Sequence, residues 1–105
     1  MTTFATIKTL HMYKQPREET TFGIDLSGFR EIIAGETPES IVVECTIDGE
    51  SAPGIIVDDE LDGNEVRIRV QGGDHGDNYV ITVLVTTNAG HVRQADVVLR
   101  IREVV

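Results

Sequence analysis

The sequence predicts an all-β domain, an immunoglobulin-like antiparallel β-sandwich of about seven strands. Short apolar segments recur about every ten residues along the chain, and turns rich in Gly, Asn and Asp separate them. Aromatic residues make up only 5% of the 105 residues and Trp is absent, so the core must be built from Val, Ile and Leu, which favour strands. Because no Cys–Trp–Cys pattern is present, the antibody-type version of this fold is excluded.

Alternation of apolar and polar residues locates most of the strands. In the segment 65–70, for example, Val66, Ile68 and Val70 are expected to face the core, with Arg67 and Arg69 facing solvent. The predicted strands span residues 21–27, 41–48, 54–57, 65–70, 79–87 and 92–102. The segment 28–38 between the first two has a brief helical spacing that Gly and Pro residues end, and we interpret it as a crossover connection.

Two hairpins are expected. The acidic segment 58–64 joins the strands at 54–57 and 65–70, and Asn88–His91 joins the two long strands that follow. The second hairpin has the stronger signal, because both of its strands are long and β-branched. The core residues expected on this hairpin are Tyr79, Ile81, Val83, Val85, Val97, Leu99 and Ile101.

Charge and hydropathy argue against nucleic-acid binding, a membrane-spanning helix and a secretory signal. Eighteen acidic and nine basic residues give a net charge of −9, so a nucleic-acid backbone would repel the domain. Apolar runs such as Ile55–Val57 are far shorter than the roughly 20 residues of a membrane-spanning helix. The first residues do not combine a basic region with an apolar stretch, so we expect no secretory signal and synthesis in a cytoplasm.

The sequence predicts no metal or cofactor site. Asp58, Glu60 and Asp62 precede Gly63 as in the opening of a calcium-binding loop, but Arg69 stands where the bidentate Glu is needed, so we expect a solvated acidic turn. The lone Cys45 excludes an internal disulfide and a cysteine-rich zinc site; we expect a buried structural thiol, the alternative being a reactive one.

No catalytic constellation is evident either. The loop 71–78 is rich in Gly but leads into a strand, so it lacks the helix that would hold a phosphate, and we interpret it as a turn. His11, His75 and His91 fall in unrelated segments, and no Gly-x-Ser-x-Gly elbow is present. We therefore do not expect an enzyme.

Residues 1–17 precede the predicted sandwich domain, which spans residues 18–105. Their apolar residues follow neither a strand nor a helix period, and Lys8, Lys14 and Arg17 contrast with the acidic chain. We expect an arm that orders against a neighbouring subunit or another protein, with its basic residues facing a neighbour's acidic turn. The alternative is an edge strand on the same sandwich. The candidate partner-binding residues are Phe4, Ile7, Leu10, Met12, Tyr13, Asp58, Asp59 and Asp62.

The order of four short motifs resembles the small tailed-phage virion proteins known as fibre–tail adaptors. The motifs are Gly23–Ser27, Ala34–Thr37, Gln71–Thr82 and Val85–His91, and the resemblance covers residues 14 to 102. Two departures are that Leu26 replaces the usual aromatic residue after Ile-Asp, and that Ser40–Glu44 replaces a Trp-bearing strand. These departures weaken the expectation that the chain binds the same partners as the family more than they weaken the expectation of the same fold.

The resemblance implies a non-enzymatic virion module that bridges tail or neck components and fibres, with other virion structural proteins as partners and a homo-oligomer in the particle. A capsid cement protein and a carbohydrate-binding sandwich are the alternatives. The latter would need exposed aromatic residues, which two Tyr, three Phe and no Trp scarcely provide.

Overall fold

A computed structural model describes residues 9–26 and 36–103, which form two β-sheets packed face to face. The strands are β1 (Thr9–Lys14), β2 (Thr20–Asp25), β3 (Pro38–Ile47), β4 (Glu50–Ser51), β5 (Ile56–Asp62), β6 (Glu65–Val70), β7 (Asn78–Thr87) and β8 (Val92–Ile101). One turn of 3-10 helix, Pro53–Ile55, precedes β5. The predicted all-β sandwich is confirmed, with β1 and the two-residue β4 added to the strands expected from the pattern.

The sheet order is that of an immunoglobulin-like domain. The larger sheet has the order β1-β8-β7-β3-β4 and the smaller one the order β2-β6-β5. Strands β3, β7 and β8 take the places of C, F and G, and β2, β6 and β5 those of B, E and D. One pair departs from the antiparallel arrangement expected from the sequence, since β1 runs parallel to β8. These strands come from opposite ends of the described chain, so no hairpin joins them and nothing forces an antiparallel pairing.

The core lies between the two sheets and follows the period of two in each strand. On β7 and β8 the expected inward residues are all buried, and Thr87 and Ala95 extend the same faces. The smaller sheet buries alternate residues of β2 and β6, as the pattern predicts. The fully buried large side chains are Ile24, Leu26, Val66, Ile68, Val70, Ile81, Val83, Val85, Val97, Leu99 and Ile101.

The acidic segment expected to be a loop is a strand. β5 runs from Ile56 to Asp62, and Gly63, with φ 62°, makes the turn into β6. Acidic residues have a low strand propensity, but here the backbone of β5 pairs with β6 while Asp58 lies opposite Arg69 and Glu60 opposite Arg67. Cross-strand pairs of opposite charge, together with solvent on the free side of an edge strand, outweigh that propensity.

The end of the N-terminal segment forms an edge strand. Leu10 and Met12 are partly buried against the core, and Lys14 takes the third inward position of β1. Lys14 is buried because its ammonium donates hydrogen bonds to the carbonyl oxygens of Gln15 (2.7 Å) and Pro16 (3.3 Å). The period of two in β1 was hidden in the sequence because a lysine occupies one inward position. Of the two alternatives for this segment, residues 9–14 adopt the edge strand, whereas Phe4 and Ile7 lie outside the described residues, as does most of the predicted crossover.

The buried thiol and phenol determine how stability responds to alkaline pH. Burial raises the pKa of Cys45 to about 11. Burial also raises the pKa of Tyr79 to about 12, together with the hydrogen bond that the Tyr79 hydroxyl donates to the Asp77 carboxylate (3.0 Å). The thiol is therefore a structural group, as expected, because little thiolate exists near neutral pH. Lys14 acts in the opposite direction, since burial lowers its pKa.

We expect the free energy of unfolding to fall as the pH rises from 9 toward 12. The folded chain holds the Cys45 and Tyr79 protons above the pH at which the unfolded chain, with pKa values near 9 and 10, releases them. The stabilisation is complete below those unfolded values and is lost through the folded ones, on the order of 2 kcal/mol per group. Urea titrations across this range test it. The free energy of unfolding of a C45A/Y79F variant should fall less over the same pH range. If it fell as steeply with pH as in the unchanged chain, Cys45 and Tyr79 would not be the groups responsible.

Candidate partner-binding site

Tyr13 is the most exposed large hydrophobic residue of the described chain, with 68% of its surface accessible. It lies near the end of β1, opposite Arg100 of β8. Beside it is an open groove of about 360 Å³ lined by Tyr13, Lys14, Gln15, Glu18 and Arg102, here called the Tyr13 groove. An exposed aromatic ring beside a concave surface is the type of feature that anchors protein partners.

Backbone and side-chain hydrogen bonds hold the walls of the Tyr13 groove. The turn after β1 is closed by the Glu18 amide donating to the Gln15 carbonyl oxygen (3.1 Å), while the Gln15 amide donates to the Glu18 carboxylate (2.6 Å). On the other wall, the Arg102 amide donates to the Lys14 carbonyl oxygen (2.9 Å), and its guanidinium donates to Asn78 Oδ1 (3.1 Å). The groove is thus preorganised rather than formed by free side chains.

Cations that form no ion pair with a described carboxylate lie around this groove. Elsewhere in the described chain the arginines have carboxylate partners: Arg67 contacts Asp62 at 3.1 Å, Arg69 contacts Glu19 at 2.9 Å, and Arg93 contacts Glu36 at 3.6 Å. The remaining cations of residues 9–26 and 36–103 form no such ion pair. They are Lys14, Arg17, Arg100 and Arg102, and all lie at the Tyr13 end of β1 and β8. Glu18, Asp77 and Glu103 lie at the same end, so this surface carries both signs of charge.

The carboxylates of β5 form a second charged surface, here called the acidic edge, which consists of Asp58, Asp59, Glu60 and Asp62. All four are exposed, and β5 is one of the two edge strands of the smaller sheet. A β-bulge interrupts the ladder between Ile56 and Asp58. Asp59 lies opposite the fully buried Ile68, so its charge sits on the inward side of an edge strand. A bulge and an inward charge both discourage another strand from pairing there.

The Tyr13 groove and the acidic edge lie on opposite sides of the sandwich. β5 contacts β3, and two strands separate β3 from β1 in the larger sheet, a distance of about 14 Å at the usual strand spacing. Of the residues predicted to bind partners, Tyr13 and the three aspartates are exposed, whereas Leu10 and Met12 are partly buried in their own core. Pairing of the two surfaces within one molecule is excluded by this separation, and pairing between copies stays a prediction.

The histidines do not converge on one site. His91 Nδ1 lies 3.0 Å from a Glu36 carboxylate oxygen, while His75 Nδ1 accepts a hydrogen bond from the Glu103 amide (2.8 Å). His11 is on β1. Among residues 9–26 and 36–103, no group of three or more His, Cys, Asp or Glu side chains is arranged to hold a metal ion. Within the same ranges no helix has the length and hydropathy needed to cross a membrane.

Calcium is expected to leave the melting temperature unchanged. Asp58, Glu60 and Asp62 lie along an extended strand, where Arg67 and Arg69 compete for their oxygens, whereas calcium needs a loop that wraps oxygen ligands around it. Differential scanning fluorimetry with millimolar calcium, and with magnesium as the control, measures this. A rise of several degrees with calcium alone would identify the acidic edge as a metal site.

Sequence reasoning missed the contacts of Glu36. This side chain, 13% exposed, accepts hydrogen bonds from Thr87 and His91 and lies near Arg93. Those hydrogen bonds, with that from Thr87 first, hold the pKa of the Glu36 carboxyl below its usual value. The contacts join the start of β3 to the β7–β8 hairpin across 51 or more residues of sequence, and no local pattern in a single sequence could indicate them.

One of the solved structures that match the chain supports this fold. A solved structure described as "IG27 protein domain" matches with a TM-score of 0.50 and 12% identity, covering 91% of this chain and 90% of that one. The titin M3 domain matches with a TM-score of 0.44 and 17% identity, covering 93% and 95%. A search of curated protein sequences finds no match.

A family model matches most of the chain. The model is described as "Podophage GP4 fiber-tail adaptor protein gp77", and the match covers residues 14–100. The matched range includes β2 to β7, most of β8 and the acidic edge. Of β1 it includes Lys14 alone, and Tyr13 and Arg102 of the groove lie outside it. The four motifs that resemble a phage adaptor all lie within the matched range, and the chain belongs to the podophage fiber-tail adaptor family.

Proposed function

We propose that this chain is a non-enzymatic structural protein of the phage virion that bridges tail or neck components and fibres. The observation that carries the proposal is the family match over residues 14–100, which takes in nearly the whole described sandwich. The family is described as one of fiber-tail adaptors, which supports this role, and the chemistry of the surfaces suggests how two partners would be held apart.

A bridging protein needs two contact surfaces on a rigid body. Here the Tyr13 groove is bordered by cations, and the acidic edge carries carboxylates on the opposite side of the sandwich. Surfaces of opposite charge select different partners, because each repels the partner of the other. We propose that the groove takes an acidic partner surface and that the acidic edge takes a basic one. Copies of the chain would follow the rotational symmetry of the platform on which they sit.

Phage particles produced without this chain test the proposal. We expect filled capsids with tail components but without attached fibres, seen by electron microscopy and by mass spectrometry of purified particles. Complementation with the intact chain should restore the fibres. A D58K/D59K variant should fail at one joint only, and A89E, in the β7–β8 turn, serves as a control.

Two results would contradict the adaptor role. Particles that retain fibres without the chain would exclude it directly. Labelled chain distributed over the capsid shell, with fibres intact, would instead support the capsid cement alternative.

A further inference from the structure

We propose that the free edge of β1, beside the Tyr13 groove, binds an extended acidic segment of a partner protein by β-strand addition. The proposal rests on the bridging function above and names the chemistry of one of its two partners. It depends on three features of the structure, namely the direction of the β1 backbone groups, the contrast with the other edge strands, and the charge around Tyr13.

Along the outer side of β1, the backbone groups pair with no other strand of the part of the chain that the structure describes. β1 is the terminal strand of its sheet and pairs only with β8 among the described strands. The Arg102 amide donates to the Lys14 carbonyl oxygen, so the peptide groups of Lys14 face β8. Since alternate residues of a strand bond to the same neighbour, those of Met12 and Leu10 face β8 as well. The N–H and C=O groups of His11 and Tyr13 therefore point to the free edge.

The other edges are less suited to pairing. β5 has a bulge, and its inward-facing Asp59 would be trapped by an added strand. β4 has only two residues. β2, the remaining edge, also keeps six residues in continuous register, but none of the exposed large hydrophobic residues of the described chain lies on it, and its Asp25 lies opposite Glu65, which would repel an acidic segment. β1 keeps a continuous register of six residues with β8, contains neither a proline nor a bulge, and carries the exposed Tyr13. Its one inward charge, Lys14, folds onto the carbonyl oxygens of the following turn rather than obstructing the edge.

Side chains beside the free edge indicate an acidic segment. Tyr13 offers a large exposed ring against which an apolar residue of the added strand can pack. Arg100 lies opposite Tyr13, Arg17 is in the turn after β1, and Arg102 lines the groove. An added strand would run about 5 Å from β1, within reach of arginine side chains. Only Glu18, among the residues lining the groove, opposes an acidic ligand.

A second copy of this chain fits the site less well. Its acidic edge supplies carboxylates, but the bulge and Asp59 hinder its backbone from pairing with β1. Two copies also carry a net charge of −9 each and repel one another at low salt. The edge therefore suits a heterologous strand, which provides main-chain hydrogen bonds for affinity and alternate side chains for specificity.

A peptide titration of the intact chain tests this inference. The probe is a fluorescent peptide of alternating Glu and Val, about eight residues long, and the reference is the matched Lys/Val peptide. We expect the acidic peptide to bind more tightly than the basic one, to weaken with salt, and to slow hydrogen exchange at the His11 and Tyr13 amides. His11→Pro removes one free-edge N–H and should weaken binding about three- to tenfold more than His11→Ala, which keeps it.

Arg17→Gln should also weaken binding of the acidic peptide, whereas Ala89→Glu, an equal change of net charge at the opposite end of β7, should not. Thermal unfolding of every variant separates lost binding from lost folding.

Three results would overturn the inference: equal or absent binding of both peptides, equal effects of the two His11 variants, or exchange protection on β5 instead of β1. Sedimentation that shows a dimer abolished by both D58K/D59K and R17Q would assign the edge to a second copy. If the peptide titration contradicted strand addition at β1, the particle experiment could still show that the chain attaches fibres, so the two proposals are tested separately.

Discussion

Replacing Val83 with aspartate is expected to leave the domain unfolded in dilute buffer. Val83 is at the centre of β7, fully buried, with Val43 on one neighbouring strand and Ala95 on the other. An aspartate there would place an uncompensated charge between the sheets, at a cost of at least several kcal/mol, against a total stability of about 5–15 kcal/mol for a domain. Circular dichroism and urea titration at neutral pH measure the effect.

Val80→Asp is the matched control for this substitution. Val80 is on the same strand, but its side chain faces outward and is 37% exposed. The same chemical change should therefore cost no more than about 1 kcal/mol. If Val83→Asp kept a cooperative transition at the original midpoint, the register of β7 described above would be wrong.

Replacing Gly73 with alanine is expected to cost about 2–4 kcal/mol. Gly73 has φ 88°, and a Cβ atom added there would lie 2.8 Å from Ile101 Cγ1 and 3.1 Å from Tyr79 Cε2. Ile101 and Tyr79 are both buried in the core, so neither can move aside without disturbing the packing of β7 and β8. The destabilisation therefore has two parts, the steric clash of the new Cβ atom and the strain of placing a residue other than glycine in a left-handed backbone conformation.

Gly76→Ala separates these two contributions. Gly76 lies in the same loop with φ 95°, but a Cβ atom there meets no neighbouring atom within 4 Å. Only the backbone strain should remain, about 1 kcal/mol. Equal destabilisation of the two variants in urea titrations would show that the loop packs differently against Ile101.

Much of the sandwich could be predicted because its central strands follow simple rules. β7 and β8 are long and rich in β-branched residues, their buried residues recur at every second position, and a short turn at Gly90 fixes their register. The edges followed less simple rules. β5 is a strand because Arg67 and Arg69 face its carboxylates, and the partner of β1 comes from the far end of the chain. Such pairings depend on residues that are distant in sequence, and local alternation does not encode them.

The candidate binding surfaces were predicted only in part for the same reason. Tyr13 and the aspartates of β5 were identified as unusual residues, but Leu10 and Met12 were assigned to a partner because the inward role of Lys14 could not be recognised. The cations around the Tyr13 groove come together only because β8 brings Arg100 and Arg102 beside β1. Because these residues come from strands that are distant in sequence, their proximity could not be predicted from local sequence patterns.

Reconstitution from purified components tests the bridging role most directly. The chain is mixed with the tail or neck protein and the fibre protein of its phage, and complex masses are measured by mass photometry with each component omitted in turn. We predict that the fibre and tail proteins form one complex only when this chain is present. Stable fibre–tail complexes in its absence, or no binding of the chain to either protein, would contradict the adaptor function.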